Sequence, residues 1–291
     1  MKRRNFLEHV GWTGAGIAYA LTPSGIVRAA AAPDDPYFVQ ISDSHIGFHL
    51  AANPDVAGTL QSVVAGINAL PRTPQFVVHT GDVTHLAKSE QFDTAKQILK
   101  GLRAPLVVLP GEHDVLGTTP AAFLAQFPPP SGSQGWFSWD ALDVHYVALI
   151  NVFDFEKMGL LGNDQLAWLE SDLRPLPASR PVVVFAHVPL YALYPAWGWT
   201  TADGAKALAL LARFDAATVL NGHIHQVVEH TEGNIRFATA NATAYPQPAP
   251  GTAPQPGPKT LPHDQLLRVI GYRTVQLHAG AAAVQDTTLG S

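Results

Sequence analysis

Short runs of apolar, β-branched residues alternate along most of the chain with longer stretches whose apolar residues recur at helical spacing. The short runs predict β-strands at residues 37–41, 76–78, 105–109, 146–150, 182–185 and 217–220. The longer stretches predict α-helices at residues 55–70, 89–102, 163–173 and 203–214. This alternation of strands and helices predicts an α/β fold.

The pattern changes after residue 226, where helical spacing gives way to short strand-like runs. Two of these runs lie at residues 235–239 and 274–277. Between them, residues 246–262 are rich in Pro, Gly and Ala, which predicts a long surface loop rather than a linker between domains.

Composition limits the classes of function that the chain can have. Of its 291 residues, 47% are hydrophobic and 14% are charged, which favours a sizeable core over disorder. The formal net charge of -5 offers no basic face, so we expect no stable binding to nucleic acid. The chain has no cysteine, which excludes disulfides, thiolate metal ligands and a cysteine nucleophile.

The first 32 residues have the pattern of an export signal. The Arg-Arg-x-Phe-Leu run at residues 3–7 resembles a bacterial twin-arginine signal. A mostly apolar stretch follows at residues 10–27, and the small residues 29–32 suit a signal peptidase. An uncleaved anchor or a plain N-terminal helix is the alternative. We therefore expect a periplasmic or secreted protein that meets a membrane only during export, with residues 1–32 as its signal.

Carboxylates and histidines stand directly after five of the predicted strands. They are Asp43 and His45, then Asp82, then Glu112, His113 and Asp114, then His187, and finally His223 and His225. In α/β sheets, ligands bind outside the carboxyl ends of the strands, so we expect the five clusters to converge. Imidazole and carboxylate groups together suit Fe, Mn or Zn. Asp82, which follows Gly81 in a predicted tight turn, is a natural bridge between two such ions.

The order of these blocks resembles the calcineurin-like metallophosphoesterase superfamily. The blocks are Asp43-x-His45, Gly81-Asp82, Gly111-Glu112-His113-Asp114, His187 and Gly222-His223-x-His225. Within the superfamily, the segments at 159–169 and 222–226 are most similar to bacterial class III cyclic-nucleotide phosphodiesterases and their relatives. The resemblance implies one domain over residues 33–291, an α/β sandwich of two mixed β-sheets flanked by helices.

The resemblance also implies a role for each of these residues. The first metal ion would be held by Asp43, His45, Asp82 and His225, and the second by Asp82, Glu112, His187 and His223. The two ions would be divalent or trivalent Fe, Mn or Zn. His113 would protonate the leaving oxygen or stabilise charge on the phosphoryl group, and Asp114 would orient His113. A water activated by the metals would then hydrolyse a phosphorylated substrate, such as a nucleotide or another small phosphoester.

Glu112 departs from the superfamily pattern, which usually has Asn at this position. Glutamate is anionic, so it should bind the second ion more tightly and place negative charge where a phosphate must dock. We therefore hypothesise that monoanionic diesters are preferred over dianionic monoesters. Altered metal choice or a weakened enzyme are the alternatives. The sequence also leaves open a non-catalytic metal-binding or protein-binding module that retains the fold.

Several residues near the blocks have no chemistry assigned by the pattern. His79 is expected to be a strand-end residue or a donor behind the ligands. His49 and His85 each follow a block by a few residues and would either line the cleft or, as we expect, be exposed to water. Aromatic residues cluster at 136–139 and 191–199. They would either stack on a ring of the substrate or cover the edge of the core, and the sequence alone does not decide between the two.

Overall fold

Two β-sheets packed face to face form the body of the protein, as a computed structural model shows. The structure describes residues 19–22, 25–28, 35–130, 133–153, 159–278 and 280–290. The predicted signal lies outside the described residues, except for a short antiparallel pair of strands, β1 (Tyr19–Thr22) and β2 (Gly25–Arg28). No helix within the described part of the chain is long and apolar enough to cross a membrane.

Both sheets of the sandwich are mixed. Five strands form the first sheet: β3 (Tyr37–Ile41), β4 (Val77–His79), β5 (Leu106–Val108), β12 (Gly271–His278) and β13 (Ala281–Thr288). The second sheet has six: β6 (Phe137–Ala141), β7 (Val144–Ala148), β8 (Val182–Phe185), β9 (Ala217–Asn221), β10 (Val228–Glu232) and β11 (Ile235–Thr239). β3, β4 and β5 are parallel to one another, and so are β7, β8, β9 and β11. The antiparallel strands complete the orders β13-β12-β3-β4-β5 and β10-β11-β9-β8-β7-β6.

Helices cover the outer face of each sheet. They are α1 (Val56–Asn68), α2 (Ser89–Leu99), α3 (Pro120–Gln126), α4 (Asn163–Leu173), α5 (Gly204–Leu211) and the short α6 (His263–Leu266). α1 begins where the side chain of Asp55 accepts a hydrogen bond from the amide of Gly58. The first sheet packs against α1 and α2, and the second against α4 and α5. The predicted α/β sandwich is therefore confirmed.

An aromatic core joins the two sheets. Phe38 of β3 meets Phe185 of β8 edge to face, with ring centroids 5.6 Å apart. Trp139 of β6 stacks on Tyr146 at 5.2 Å, and Trp199 is 1% exposed. Trp139 and Trp199 are therefore core residues, whereas the other aromatic residues of the two clusters are only partly buried. Val39, which follows Phe38 on β3, faces the helices instead. Both faces of the central strands are therefore buried, which explains why these strands are apolar on both faces.

Three strands of the sandwich were missed by the hydrophobic pattern. Four of the five residues of β10 are exposed, so the strand carries no apolar signal. β13 begins with three alanines, and alanine has low strand propensity. It is a strand because all eight residues pair with β12. β6 lies at the edge of its sheet and pairs only with β7 among the described strands.

Two carboxylates hold His145, a residue in no recognisable sequence motif. Its Nδ1 lies 3.0 Å from Oδ1 of Asp140 on β6, and its Nε2 lies 2.8 Å from Oδ2 of Asp172 on α4. Burial disfavours the charged ring, but the hydrogen bonds to Asp172 and Asp140 outweigh it and raise the pKa of His145. The side chain of His145 thus links β6 and α4 to β7.

We predict that His145→Gln destabilises the protein most at acidic pH. A histidine whose pKa is raised by folding gives its full stabilisation below its unfolded pKa of about 6.5 and loses it as the pH rises through the folded value. Urea unfolding of the metal-depleted proteins should show a loss of about 2 kcal/mol near pH 5.5 and a smaller loss near pH 9. The exposed His230→Gln is the control, and an equal loss at both pH values would contradict the prediction.

Candidate metal centre

The loops that follow β3 and β4 run side by side beyond the ends of their strands. The amide of Asp43 donates to the carbonyl of Gly81 at 3.0 Å, and that of His45 to the carbonyl of Asp82 at 2.9 Å. Two further backbone hydrogen bonds continue this pairing as far as residue 85. The pairing extends the parallel register of the strands and places the first two blocks of predicted ligands next to each other.

Five of the seven predicted ligands have left-handed backbone conformations. Their φ angles are 54° at Asp43, 43° at His45, 54° at Asp82, 70° at His223 and 52° at His225. Among the described residues, the other non-glycine residues of this kind are Ala87, Leu142 and Asp143. The conformation costs an L-residue about 1–2 kcal/mol. Strain of this kind clusters at functional sites because the surrounding structure must hold it in place.

Glycine is required where two of the loops approach each other. A Cβ atom on Gly111 would lie 2.1 Å from Oδ1 of Asp82, and one on Gly222 would lie 2.0 Å from Oγ of Ser42. Neither contact is sterically possible without moving a group at the site. These two glycines therefore allow the carboxylates to reach the positions that they occupy.

The structure brings the seven predicted ligands together in two groups that meet at Asp82. Ligand atoms lie within 4.8 Å of one another in each group, which are Asp43, His45, Asp82 and His225, and Glu112, His187 and His223. Oδ2 of Asp82 is 3.5 Å from Nε2 of His45 in the first group. The same oxygen is 3.5 Å from Nε2 of His187 in the second. Asp82 thus stands where a bridging carboxylate would stand.

Buried polar atoms of the second group point at one another. Oε2 of Glu112 is 2.7 Å from Nε2 of His187, and its Oε1 is 2.9 Å from Nδ1 of His223. Glu112 Oε2, His187 Nε2 and His223 Nδ1 have no hydrogen-bond partner among the described residues. Ligand atoms with these spacings match the edges of a coordination sphere whose bonds are about 2.1 Å long. The residues present therefore fit a divalent cation.

Backbone carbonyls set the tautomers of two of the histidines. Nδ1 of His187 lies 2.7 Å from the carbonyl oxygen of Thr80, and Nδ1 of His225 lies 2.6 Å from that of Tyr245. A carbonyl can only accept, so Nδ1 carries a proton in both rings. Nε2 is therefore the atom that each ring offers to a metal.

Charges in the pocket compensate one another strongly. Burial alone would raise the pKa of Glu112, but His223 and His187 hold it well below its usual range. Burial alone would lower the pKa of His187, but Asp82 and Glu112 raise it well above its usual value. Without metal, the carboxylates of Asp82 and Glu112 thus favour a proton on His187. A metal ion must displace this proton, so metal affinity is expected to increase with pH.

His113 and Asp114 lie on the 3₁₀ turn Glu112–Val115. The amide of His113 donates to Oδ1 of Asp82 at 2.9 Å, and its Nδ1 donates to the carbonyl oxygen of His85 at 2.8 Å. The Asp114 carboxylate accepts from the amides of Gly111 and Thr84 at 3.0 and 2.7 Å. Asp114 therefore fixes the turn that carries His113, while the carbonyl of His85 orients its ring. The orienting role of Asp114 stays a prediction, and these hydrogen bonds to backbone amides are the contacts through which Asp114 would exert it.

Three further residues belong to the surroundings of the site. Nε2 of His79 lies 2.9 Å from Oγ of Ser44. His79 therefore contacts the loop that carries Asp43 and His45, which agrees with its expected role as a donor behind the ligands. Of the two alternatives for His85, the structure favours a place beside the site over simple exposure to water, because its half-buried ring stacks on His113 at 4.9 Å. Tyr245 stacks on His45 at 5.0 Å, and no pattern in the sequence pointed to it.

A family model described as calcineurin-like phosphoesterase matches residues 36–227. These residues include every block that forms the two ligand groups, and the sandwich around them is the one that the resemblance implied. The chain therefore belongs to the calcineurin-like phosphoesterase family, and it is a metallophosphoesterase.

Proteins similar to this chain include bacterial phosphodiesterases. The chain is 30% identical to glycerophosphodiester phosphodiesterase GpdQ of Enterobacter lignolyticus over 217 residues. The aligned region covers 72% of this chain and 77% of that protein. A probable cyclic nucleotide phosphodiesterase of Rhodopseudomonas palustris is 32% identical over 140 residues, 46% of this chain and 50% of that protein. A dimetal phosphatase from Danio rerio shares the fold with a TM-score of 0.62 at 14% identity, covering 84% of this chain and 94% of that chain.

We predict that Asp82→Asn removes most of the stabilisation that added metal gives to the protein. Wild type should gain about 2.7 kcal/mol for each bound ion when free Mn²⁺ or Zn²⁺ is at a hundred times the dissociation constant of that site. The variant loses one anionic ligand from both groups and should gain much less. Chemical unfolding with chelator and with metal measures the difference, and Asp93→Asn on the exposed face of α2 is the matched control. An unchanged gain in Asp82→Asn would contradict the shared position of this carboxylate.

Proposed function

We propose that this metallophosphoesterase hydrolyses phosphodiesters at a dinuclear metal centre formed by the two ligand groups. The observation that carries the proposal is the position of Asp82, whose Oδ2 is equally far from a histidine of each group. When bound, the metal pair would activate a water and neutralise the phosphoryl oxygens. Asp43, His45, Asp82 and His225 would hold one ion, and Asp82, Glu112, His187 and His223 the other.

His113 supplies the proton for the leaving oxygen in this proposal. Its Nδ1 is engaged with the carbonyl of His85, so the substrate would meet Nε2. Burial lowers the pKa of His113, but the charges of Asp82 and Glu112 outweigh this effect and raise it. An imidazole titrates near neutral pH, which suits it to act as a general acid. The hydrogen bond from its amide to Asp82 keeps the ring beside both ligand groups.

Glu112 favours a diester over a monoester as the substrate. Two divalent ions with the carboxylates of Asp43, Asp82 and Glu112 leave one net positive charge, whereas Asn at position 112 would leave two. A diester carries one negative charge near neutral pH and a monoester up to two, so the loss of one positive charge weakens attraction for the monoester more. The two bacterial relatives, a phosphodiesterase and a probable phosphodiesterase, support the same choice.

We predict that metal restores hydrolysis of bis(p-nitrophenyl) phosphate to the chelated protein more effectively than hydrolysis of p-nitrophenyl phosphate. Mn, Fe and Zn are added back in turn, and Asp82→Asn should abolish the turnover. Glu112→Asn should shift the ratio of kcat/KM values toward the monoester by about tenfold, or ~1.4 kcal/mol of differential electrostatic energy. Glu170→Gln, an exposed change on α4, is the control for charge alone.

Each outcome of this assay separates two alternatives. A clear preference of wild type for the monoester would contradict the account of Glu112. No turnover of either ester, despite two bound metal ions per chain, would contradict catalysis and favour a non-catalytic binding module that retains the fold.

We also propose that residues 1–32 direct export through the twin-arginine pathway. The Arg-Arg-x-Phe-Leu run at residues 3–7 supports this proposal. Replacement of both arginines by lysine keeps the charge and should leave the protein in the cytoplasmic fraction of a bacterial host, whereas wild type should reach the periplasm. Equal distribution of the two proteins after cell fractionation would contradict it.

A further inference from the structure

We infer that His85 is a positioning residue whose ring holds the predicted metal ligand His45 in the tautomer that binds metal. The inference rests on the proposed metal centre, and it assigns a function to a side chain that no motif singles out. Its basis is the placement of His85 between His45, His113 and Phe48.

The protein holds the ring of His85 in a defined position. The amide of His85 donates to the carbonyl of Ile46 at 3.0 Å, which locks the residue into the pairing between the two ligand loops. The half-buried ring meets Phe48 edge to face at 5.2 Å and stacks on His113 at 4.9 Å with an interplanar angle of 17°. These contacts on two sides fix which atom the ring presents to His45.

His45 needs a hydrogen-bond acceptor behind it. Its Nε2 faces the first ligand group, 3.1 Å from Nε2 of His225 and 3.5 Å from Oδ2 of Asp82. To bind metal through Nε2, the ring must carry its proton on Nδ1. That atom lies 3.4 Å from Nδ1 of His85, a long hydrogen bond in which His85 accepts. Carbonyls perform this role for His187 and His225, whereas His45 relies on an imidazole.

The ring of His85 contacts both His45 and His113, whereas its backbone carbonyl bonds to His113. The carbonyl oxygen receives Nδ1–H of His113 and remains in every variant. Only the ring serves His45. Replacing the side chain should therefore weaken metal binding at the first group and leave the second group and the orientation of His113 largely unchanged.

Calorimetric titration of the metal-depleted protein with Mn²⁺ or Zn²⁺ tests the inference directly. His85→Leu keeps apolar bulk without an acceptor, and we expect one of the two sites to weaken by about 10–100-fold. His85→Asn places an amide oxygen near the position of Nδ1, and its affinity should return to within about threefold of wild type. His49→Leu, which changes an exposed histidine of the neighbouring loop, should change neither site.

Hydrolysis of bis(p-nitrophenyl) phosphate at increasing metal concentration gives a second measurement. The activity of His85→Leu should approach that of wild type once metal saturates the weakened site, with little change in KM. Equal metal affinities of wild type and His85→Leu would overturn the inference, and so would an Asn variant as weak as the Leu variant. If wild type binds two ions but hydrolyses no ester, only the proposed catalysis fails, because the affinities still decide the role of His85.

Discussion

Three buried carboxylates, those of Asp43, Asp82 and Glu112, share one pocket at the ends of the strands. An ionised carboxylate removed from water costs several kcal/mol unless a nearby positive charge compensates it. Without metal, a proton on His187 would provide part of that compensation, because Nε2 of His187 lies 2.7 Å from Glu112 and 3.5 Å from Asp82. Two metal ions would compensate the carboxylates far more completely, and the rest of the site is arranged around this requirement.

Each ligand group takes residues from both sheets, so packing of the sandwich and assembly of the site depend on each other. The first sheet contributes Asp43, His45, Asp82 and Glu112, and the second contributes His187, His223 and His225. The aromatic core beneath the site holds the sheets in register. Backbone hydrogen bonds between the loops hold the left-handed residues in place. Metal binding is therefore expected to stabilise the whole sandwich, because only the folded chain presents both halves of each group.

The ligands were predictable because residue type and position repeat a simple rule, with a carboxylate or histidine directly after a strand. The roles of the groups around the ligands were not predictable in this way. Asp114 accepts hydrogen bonds from backbone amides, which a sequence does not display. The carbonyl of Tyr245, the residue before the Pro-rich loop, accepts a hydrogen bond from His225. His85 looked like an exposed histidine because its contacts depend on the pairing of two loops. β13 carries no apolar alternation, so only its pairing with β12 defines it.

Anomalous diffraction from crystals grown with Mn²⁺ or Zn²⁺ would test the dinuclear centre most directly. The account predicts two anomalous peaks about 3.5–4 Å apart, with the Asp82 carboxylate between them. Glu112, His187 and His223 should surround one peak, and Asp43, His45 and His225 the other. A single peak, or peaks away from Asp82, would contradict a dinuclear centre built on these two groups.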